Sequence, residues 1–241
     1  MEKNSYDLEF QITEFHWWFV VRRRLLNSIL SSIAVSPKLS TLDIGCGVGS
    51  NSPIFQSHQL NTIGLDRSFY ALSLASKRFG SSLINGDLNH LPLKPDSVGL
   101  IVAMDVLEHL ENDLSGILEL YRTLTKGGIL ILTVPAFRFL RGTQDVVTGH
   151  KRRYTKQEIL YKLNKIGFDV LRASYFNFFL FFPILLTRFL IRLVGLHLES
   201  ENKVNSPLVN LFLKTIFSLE PHVLKYVAFP FGVSIFCIAQ K

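Results

Sequence analysis

The sequence is poor in cysteine and lacks a long uncharged apolar run, and each shortage excludes a class of protein. Its 241 residues include two cysteines, Cys46 and Cys237, which lie far apart and form no CxxC pair. A disulfide scaffold and a structural zinc site are therefore excluded. The first ten residues carry acidic side chains and no apolar core, so we expect no secretory signal peptide and a cytoplasmic location.

Acidic residues are also scarce relative to basic ones. There are 19 acidic and 26 basic residues, which gives a net charge of +7, while 48% of the chain is hydrophobic. This apolar content excludes a disordered chain and suffices for a single domain over residues 1–241. The positive charge favours anionic partners in general but does not choose between nucleic acid and acidic lipid.

The middle of the chain alternates between short apolar runs and helical or turn stretches. The apolar runs are at 40–44, 61–65, 82–84, 98–104 and 128–134. Strands that alternate with helices form parallel sheets, because parallel neighbours need a crossover connection. The sequence therefore predicts an α/β fold with a doubly wound sheet, and the segments 167–176 and 232–241 add two more strands.

Two further segments flank this alternation. The periodicity of "EFHWWFVVRRRLLNSIL" predicts a helix over residues 9–34, inside an N-terminal capping segment that spans 1–37. An apolar helical insertion at 176–230 precedes the last strand. An insertion of this length is unusual within a compact domain and indicates a functional element.

The stretch "TLDIGCGVGS" follows the first predicted strand and has glycines at 45, 47 and 49. Glycines in the first strand-to-helix turn allow a positive φ and let a ligand approach the backbone. The dinucleotide fingerprint G-x-G-x-x-G would need a third glycine at Ser50, so this turn is not the pyrophosphate version. A tight turn that binds nothing is the alternative.

Acidic residues lie at the ends of four successive predicted strands. They are Asp43, Asp66, Asp87 and Asp105. The carboxyl ends of strands in an open α/β sheet form the usual ligand crevice. We therefore expect these carboxylates to point into one crevice, where the one at position 66 can accept hydrogen bonds from ribose hydroxyls.

Five motifs within residues 38–172 occur in the order and spacing of a known family. They are "LDIGCGVG", "GLD", "NGD", "DVLEHL" and "LTKGGILILTVP". On these motifs the chain resembles a class I S-adenosylmethionine-dependent methyltransferase, most similar to the small-molecule enzymes of the ubiquinone-biosynthesis type. The resemblance implies a Rossmann-like, mainly parallel sheet and S-adenosylmethionine as cofactor.

The resemblance also implies roles for the cofactor-binding residues. The three glycines, Gly45, Gly47 and Gly49, would wrap the methionine half of the cofactor, and Asp43 would fix their turn. Asp66 would hold the ribose. Asp87 would accept from the adenine amino group, Leu88 would lie against the ring, and Asp105 would lie near the sulfonium.

Glu108 and His109 share one helical face with Asp105 if a helix begins there. In some relatives of the ubiquinone type a comparable acid-acid-histidine set is associated with a divalent cation. Helix capping by Asp105 and a hydrogen-bonded His109 is the alternative, so we assign no metal ligand and keep His109 as a catalytic candidate.

A second candidate set is "GHKRRYT" at 149–155, just beyond the fifth strand. A histidine such as His150 can take a proton from a hydroxyl near neutral pH, and Tyr154 could position the acceptor. Arg152 and Arg153 could clamp a phosphate or carboxylate. The alternative is a capped helix start, because Thr155 and Glu158 have capping-box spacing.

The "HWWF" motif at 16–19 would cap the cofactor pocket, stack on a flat substrate, or pack against the sheet, and packing is favoured. Arg22, Arg23 and Arg24 are interpreted as a solvated helical face.

The insertion falls short of a membrane span, because Pro183 and Arg188 interrupt its apolar run. Its two predicted helices carry narrow polar stripes, Arg188 with Arg192 and then Asn210, Lys214 and Ser218, with Ser206 and Pro207 starting the second helix. Helices this apolar would form a lid over a greasy substrate, an anchor at the membrane surface, or a homodimer interface.

These observations predict methyl transfer from S-adenosylmethionine to a small-molecule or lipid-linked acceptor, at oxygen before carbon or nitrogen. A nucleic-acid or protein methyltransferase is the first alternative. "DVLE" replaces the D/N-P-P-Y/F motif of enzymes that methylate base amines, which argues against nucleic acid. A non-catalytic, membrane-associated cofactor-binding protein is the second alternative.

Overall fold

The computed structural model describes residues 3–33, 39–79, 82–194 and 206–241. Its centre is a seven-stranded sheet. The strands are β1 (Thr41–Ile44), β2 (Thr62–Asp66), β3 (Leu83–Asn85), β4 (Val98–Met104), β5 (Leu124–Pro135), β6 (Asp169–Phe176) and β7 (Ser234–Gln240). Their order in the sheet is β3-β2-β1-β4-β5-β7-β6. All seven predicted strands are present, with small shifts at their ends.

The sheet is mainly parallel, as predicted. Strands β1 to β5 pair in parallel, whereas β7 lies antiparallel between β5 and β6. Since β7 is antiparallel to both neighbours, β6 runs in the same direction as β5. The insertion therefore leaves β6 and enters β7 at the edge of the sheet where the carboxyl ends of β1 to β5 lie.

Helices cover the sheet. They are α1 (Lys3–Ile12), α2 (Trp17–Leu30), α3 (Ser52–Ser57), α4 (Phe69–Phe79), α5 (Asp113–Thr123), α6 (Thr143–Thr148), α7 (Lys156–Ile166), α8 (Phe181–Val194), α9 (Pro207–Ser218) and α10 (Glu220–Val223). The capping box at the start of α7 is confirmed, because Thr155 accepts from the Glu158 amide and Glu158 accepts from the Thr155 amide.

The prediction of one helix over residues 9–34 is wrong. The chain forms two helices, α1 and α2, which are separated by residues 13–16. His16 begins the second helix, since its Nδ1 accepts from the Trp18 amide at 3.3 Å. Periodicity continues across the break, so it could not reveal the cap. Position 34 and the end of the 1–37 segment lie outside the described residues.

The tryptophans of the "HWWF" motif pack against the core. Trp18 stacks on Phe176 and Phe217 with ring centroids 6.2 and 5.9 Å apart, and Trp17 meets Phe217 edge-on. The Trp17 amide also donates to Asn210 Oδ1 at 2.8 Å. This confirms the favoured prediction of packing and joins α2 to both the sheet and α9.

The predicted insertion contains α8, α9 and α10, and residues 195–205 within it are outside the described part. Ser206 caps α9 as predicted, because its Oγ accepts from the Val209 amide. Across the described ranges, no helix is both long and apolar enough to cross a membrane.

Candidate active site

The glycine turn after β1 has the backbone that the sequence predicts. Gly45, Gly47 and Gly49 have φ values of 65°, 53° and 78°. L-residues rarely adopt this left-handed region, so the turn depends on glycine. The amides of Gly45 and Cys46 both donate to the Leu65 carbonyl, which ties the turn to the end of β2.

Asp43 is buried within β1, directly before this turn. Burial raises the pKa of its carboxyl to about 7, against a hydrogen bond from Asn51 that lowers it. Asn51 Nδ2 donates to Asp43 Oδ1 at 3.5 Å, whereas no described residue donates to Oδ2. A buried carboxylate oxygen without a donor is costly unless a ligand or water pairs with it.

Asp66 ends β2 and holds two backbone turns together. Its Oδ2 accepts from the Gly47 amide at 3.0 Å and its Oδ1 from the Ser68 amide at 2.8 Å. Burial raises the pKa of this carboxyl, and the two amide bonds oppose the rise. A carboxylate has further lone pairs, so Asp66 can still accept from the hydroxyls of a sugar.

Asp105 follows β4 and is joined to the N-terminal region. Arg22 Nη2 lies 2.9 Å from Asp105 Oδ2, and Thr133 Oγ1 donates to Oδ1 at 3.1 Å. This corrects the prediction that Arg22 to Arg24 form a solvated face. Arg23 donates to the Thr13 carbonyl and Arg24 to Ser218 Oγ, so all three arginines bind folded elements. The local pattern of three basic residues gave no sign of these distant partners.

Asp87 and Leu88 lie in the turn after β3. Asp87 Oδ1 accepts from both the backbone and side-chain nitrogens of Asn89. Leu88 is buried in the main core beside α5, where a β-carbon on Gly116 would lie 3.4 Å from its Cγ. The structure thus places the third acid beyond its strand as predicted and gives the leucine a packing role.

Glu9 of α1 is a residue that the sequence analysis missed. A β-carbon placed on Gly47 would sit 3.6 Å from Glu9 Oε1, so this carboxylate lies beside the glycine turn. Burial raises its pKa to about 7, opposed by Arg22 and with a smaller contribution from Asp66. Only the break between α1 and α2 brings α1 back over the crevice, and no local signal marks Glu9.

His150 is held by a carboxylate that sequence reasoning also missed. Its Nδ1 lies 2.9 Å from Asp145 Oδ1, and Asp145 is itself fixed by Arg153 and by the Gly142 amide. Burial raises the Asp145 pKa, but His150 and Arg153 lower it well below its usual range, so it is ionised. An ionised carboxylate only accepts, so Nδ1 carries the proton and Nε2 is free to accept one.

Three side chains meet on the other side of this histidine. Ligand atoms of Glu108, His109 and His150 all lie within 4.8 Å of one another, with Glu108 Oε1 3.6 Å from His150 Nε2. Glu108 is fully buried and neither of its carboxylate oxygens has a hydrogen-bond partner among the described residues. Burial, followed by the charge of Asp105, raises its pKa well above the usual value.

This cluster differs from the acid-acid-histidine set seen in the sequence. Asp105 is paired with Arg22, and His150 takes the third position beside Glu108 and His109. Burial and the neighbouring His150 lower the pKa of His109 to about 4, so its imidazole is neutral at pH 7. Two imidazoles and a carboxyl can share a proton, and they also form a nitrogen-rich donor set for a divalent cation.

Tyr154 and Arg153 are structural, which corrects two predictions. The Tyr154 hydroxyl donates to Asp113 Oδ2 at 2.9 Å, and burial together with Asp113 raises its pKa far above the usual value. Arg153 is buried against Asp145 and the Ala136 carbonyl, so it is not a mobile clamp. Arg152 remains partly exposed, with contacts to Asp113 and the Glu111 carbonyl.

A family model described as a methyltransferase domain matches residues 42–132, which run from β1 into β5. The match contains the glycine turn, the acids at the strand ends, and the start of the histidine cluster. This match indicates that the chain is a class I S-adenosylmethionine-dependent methyltransferase.

Similar proteins share this description. The methyltransferase is 26% identical over 166 residues to a Mycolicibacterium smegmatis protein named as a probable S-adenosylmethionine-dependent methyltransferase, covering 66% of this chain and 62% of that protein. It is 23% identical over 209 residues to the ubiquinone/menaquinone biosynthesis C-methyltransferase of Campylobacter jejuni, covering 72% and 88%. A solved S-adenosylmethionine-dependent methyltransferase of Thermotoga maritima has the same fold, with a TM-score of 0.60 at 17% identity over 99% of this chain and 95% of that one.

The crevice residues of the methyltransferase fit its cofactor. S-adenosylmethionine is a cation that carries a sugar and an amino acid group, and the crevice offers carboxylates together with a turn free of side chains. The unpartnered Oδ2 of Asp43 is a buried acceptor beside the turn, and Asp66 keeps lone pairs for ribose hydroxyls. Asp43, Asp66 and the three glycines are thus the residues that would hold the cofactor.

Proposed function

We propose that this methyltransferase methylates a hydroxyl oxygen of a small-molecule or lipid-linked acceptor, with His150 as the general base. The observation that carries the proposal is the pair formed by the partly buried His150 and the buried Asp145, in which His150 Nδ1 lies 2.9 Å from Asp145 Oδ1. A carboxylate that accepts from Nδ1–H fixes the ring and leaves Nε2 as the proton acceptor. An oxygen nucleophile needs such a base, because a neutral hydroxyl is a weak nucleophile.

The bound cofactor supplies an activated methyl group on a sulfonium. The chain's own residues then hold the acceptor and move its proton. His150 takes the hydroxyl proton at Nε2, and Asp145 stabilises the imidazolium that forms. Glu108 and the neutral His109 lie next to this atom and can pass the proton onward.

The proposal puts His150 close to the methyl-donor end of the crevice. Asp105, which the family resemblance puts near the sulfonium, is close enough for its charge to raise the pKa of Glu108 and to act on His109. His109 and His150 have ring centroids 4.8 Å apart. The proposed base is therefore linked to Asp105 through Glu108 and His109, which follow Asp105 in the chain.

A cavity of about 420 Å³ opens beside His150 and supports an acceptor with an anionic group. Its basic side chains are Arg138, Arg141, Lys151, Arg152, Arg153 and Lys162. Its three acids are already engaged: Asp145 with His150, Asp113 with Tyr154 and Lys162, and Glu158 with the Thr155 cap. A phosphate or carboxylate suits this excess of positive charge.

The test is methyl transfer from labelled S-adenosylmethionine into extract of the source organism, separated into lipid, aqueous, protein and RNA fractions. We expect label in the lipid or aqueous small-molecule fraction, as an ether methyl. The Campylobacter relative is named as a C-methyltransferase. Label in a carbon-bound methyl group would therefore overturn the choice of oxygen and of a hydroxyl base.

Variants of the base separate chemistry from folding. We expect His150→Gln to lower the rate at pH 7 by about 100-fold or more and to leave cofactor affinity unchanged, since general-base catalysis has this size. The residual rate of the variant should rise with pH as hydroxide replaces the base. His58→Gln is the matched control, because His58 is partly exposed and its side chain has one hydrogen bond among the described residues, to Asn27. Equal losses of rate in both variants would contradict the role of His150 as the base. In the labelling experiment, label in RNA or protein would contradict the small-molecule acceptor.

A further inference from the structure

Helix α9 places its polar stripe toward the protein and its apolar side toward solvent. Asn210 accepts from the Trp17 amide at 2.8 Å and donates to the Phe15 carbonyl at 3.0 Å. Two turns later Ser218 accepts from Arg24 at 2.6 Å. On the outer side Leu208 is 80% exposed and Phe212 is 64% exposed. A helix that faces water normally has the opposite arrangement.

Helix α8 likewise turns its central charged residue toward the protein and large apolar side chains toward solvent. Arg188, its central charged residue, is buried and donates to the Leu140 carbonyl. Phe182, Phe189 and Leu193 of this helix are 63%, 58% and 71% exposed. Two successive helices therefore expose large apolar side chains, which together exceed the scattered exposure normal for a soluble surface.

Among the described residues of the insertion, the exposed charges have one sign. In the described ranges 177–194 and 206–233 the sole acidic residue is Glu220, which is fully buried. Lys225 is exposed next to the apolar residues Tyr226 and Val227, and Lys214 is partly exposed on α9. Over these described residues, an apolar surface with lysines and no exposed acid complements an anionic lipid surface and offers no opposite charge to a second copy of itself.

The position of the helices relates this surface to the crevice. The chain leaves β6 and enters β7 at the edge of the sheet that carries the carboxyl ends of β1 to β5. Helix α9 packs on α2, and α2 carries the Arg22 that pairs with Asp105. The apolar helices are therefore attached to the same edge as the methyl-transfer site.

We propose that α8 and α9 form a membrane-surface contact for an anionic bilayer, which brings the crevice to a membrane-borne acceptor. The α8–α9 face is defined here by Phe182, Phe189, Leu193, Leu208, Leu211 and Phe212. Its side chains enter the boundary between headgroups and acyl chains while the protein stays on one side of the membrane, and lysines bind the headgroups. This inference rests on the proposed function only for the nature of the acceptor.

The test is flotation of the full chain with phosphatidylcholine vesicles, with and without added phosphatidylglycerol. We expect binding to the anionic vesicles that weakens as salt is raised. The variant Leu208→Gln/Phe212→Gln should bind about tenfold or more weakly, because two exposed side chains lose their transfer into an apolar medium. The variant Phe189→Gln/Leu193→Gln, on α8, should show a similar loss of vesicle binding.

The matched control is Leu118→Gln/Tyr161→Gln. These residues are 53% and 66% exposed on α5 and α7, so the same number of exposed apolar side chains is removed elsewhere. Binding of the control should equal that of the unmodified protein. No flotation of the unmodified protein, or equal loss in control and α8–α9 variants, would contradict the membrane contact.

Sedimentation velocity without vesicles tests whether a second copy of the chain covers the α8–α9 face instead of a membrane. A concentration-dependent dimer that disappears in Leu208→Gln/Phe212→Gln would show that a second copy covers the face and would overturn the bilayer. Flotation needs no methyl transfer, so its failure is distinct from failure of the proposed function. Transfer of label to an aqueous acceptor by a chain that does not float would refute the membrane contact alone.

Discussion

At the scale of single residues, the carboxylates of the crevice have two tasks. Asp66 binds the amides of Gly47 and Ser68, and it also retains acceptor sites for the cofactor. Asp105 lies in the crevice and holds α2 through Arg22. The residue types and their positions at strand ends are visible in the sequence, whereas the second partner of each carboxylate is not.

Asp66→Asn tests this double task. We expect cofactor affinity to fall by about tenfold or more, because a hydrogen bond to a charged acceptor contributes about 1.5–3 kcal/mol. Isothermal titration with S-adenosylmethionine measures the change. Asp96→Asn is the control, since Asp96 is 63% exposed and pairs with Lys241 at another edge. Equal affinity in both variants would exclude Asp66 from the cofactor site.

At the scale of elements, the turn after β1 depends on backbone shape and on space. Gly45 has φ of 65°, and a β-carbon there would meet Val106 Cγ2 at 2.5 Å. Gly149 has φ of 76°, and a β-carbon there would have no neighbour within 4 Å among the described residues. A comparison of alanine substitutions at the two positions therefore distinguishes the cost of backbone strain alone from the cost of strain together with steric overlap.

We expect Gly149→Ala to lower the free energy of unfolding by about 1 kcal/mol, the cost of a left-handed alanine. Gly45→Ala should cost about twice as much or more, because overpacking adds to the strain. Urea unfolding measures both variants. Cofactor affinity should fall in Gly45→Ala alone, and a loss of equal size in Gly149→Ala would contradict a special role for the first turn.

Glu220 gives the helical insertion a pH-dependent anchor. It starts α10, is fully buried, and accepts from the Phe179 amide at 2.9 Å. Burial raises its pKa from about 4.5 to about 7, with backbone hydrogen bonds opposing the rise. The folded protein thus keeps this proton to a higher pH than the unfolded chain does. The contribution of Glu220 to the free energy of unfolding is therefore fully present below about pH 4.5 and is lost as pH rises through 7.

Glu220→Gln should remove this loss. Relative to the unmodified protein, we expect the variant to gain about 2–3 kcal/mol in free energy of unfolding between pH 5 and 8. Urea unfolding across this range measures the difference. Glu111→Gln is the control: the pKa of Glu111 is lowered by Lys151, so its effect lies below pH 4.5. Parallel pH curves for Glu220→Gln and the unmodified protein would contradict the raised pKa.

At the scale of the whole molecule, part of the net charge of +7 is concentrated beside the histidine cluster. Arg138 lies at the exposed side of the basic cavity, with its side chain 83% exposed and 3.7 Å from Glu158. Arg138→Gln should weaken binding of inorganic pyrophosphate about threefold, in keeping with an exposed ion pair. Calorimetry measures this, with the exposed Lys126→Gln as control. Equal binding by both variants would contradict an anion site in the cavity.

The resemblance of the sequence motifs to a known family implied the cofactor. The sequence by itself determined the strands, the glycine turn and the acids at the strand ends. These features follow from short-range patterns, because strand burial, turn geometry and helix caps depend on residues close in the chain. The same reasoning failed at residues 13–16, where apolar periodicity continued through a helix break.

Only the tertiary structure decided which charged groups face one another. It paired Arg22 with Asp105, assigned Asp145 to His150, and committed Tyr154 to Asp113. It also turned the polar stripe of α9 inward, so that Asn210 and Ser218 lie on the side of the helix that packs. Such pairings join residues far apart in the chain, and their energies depend on burial and distance that no local pattern encodes.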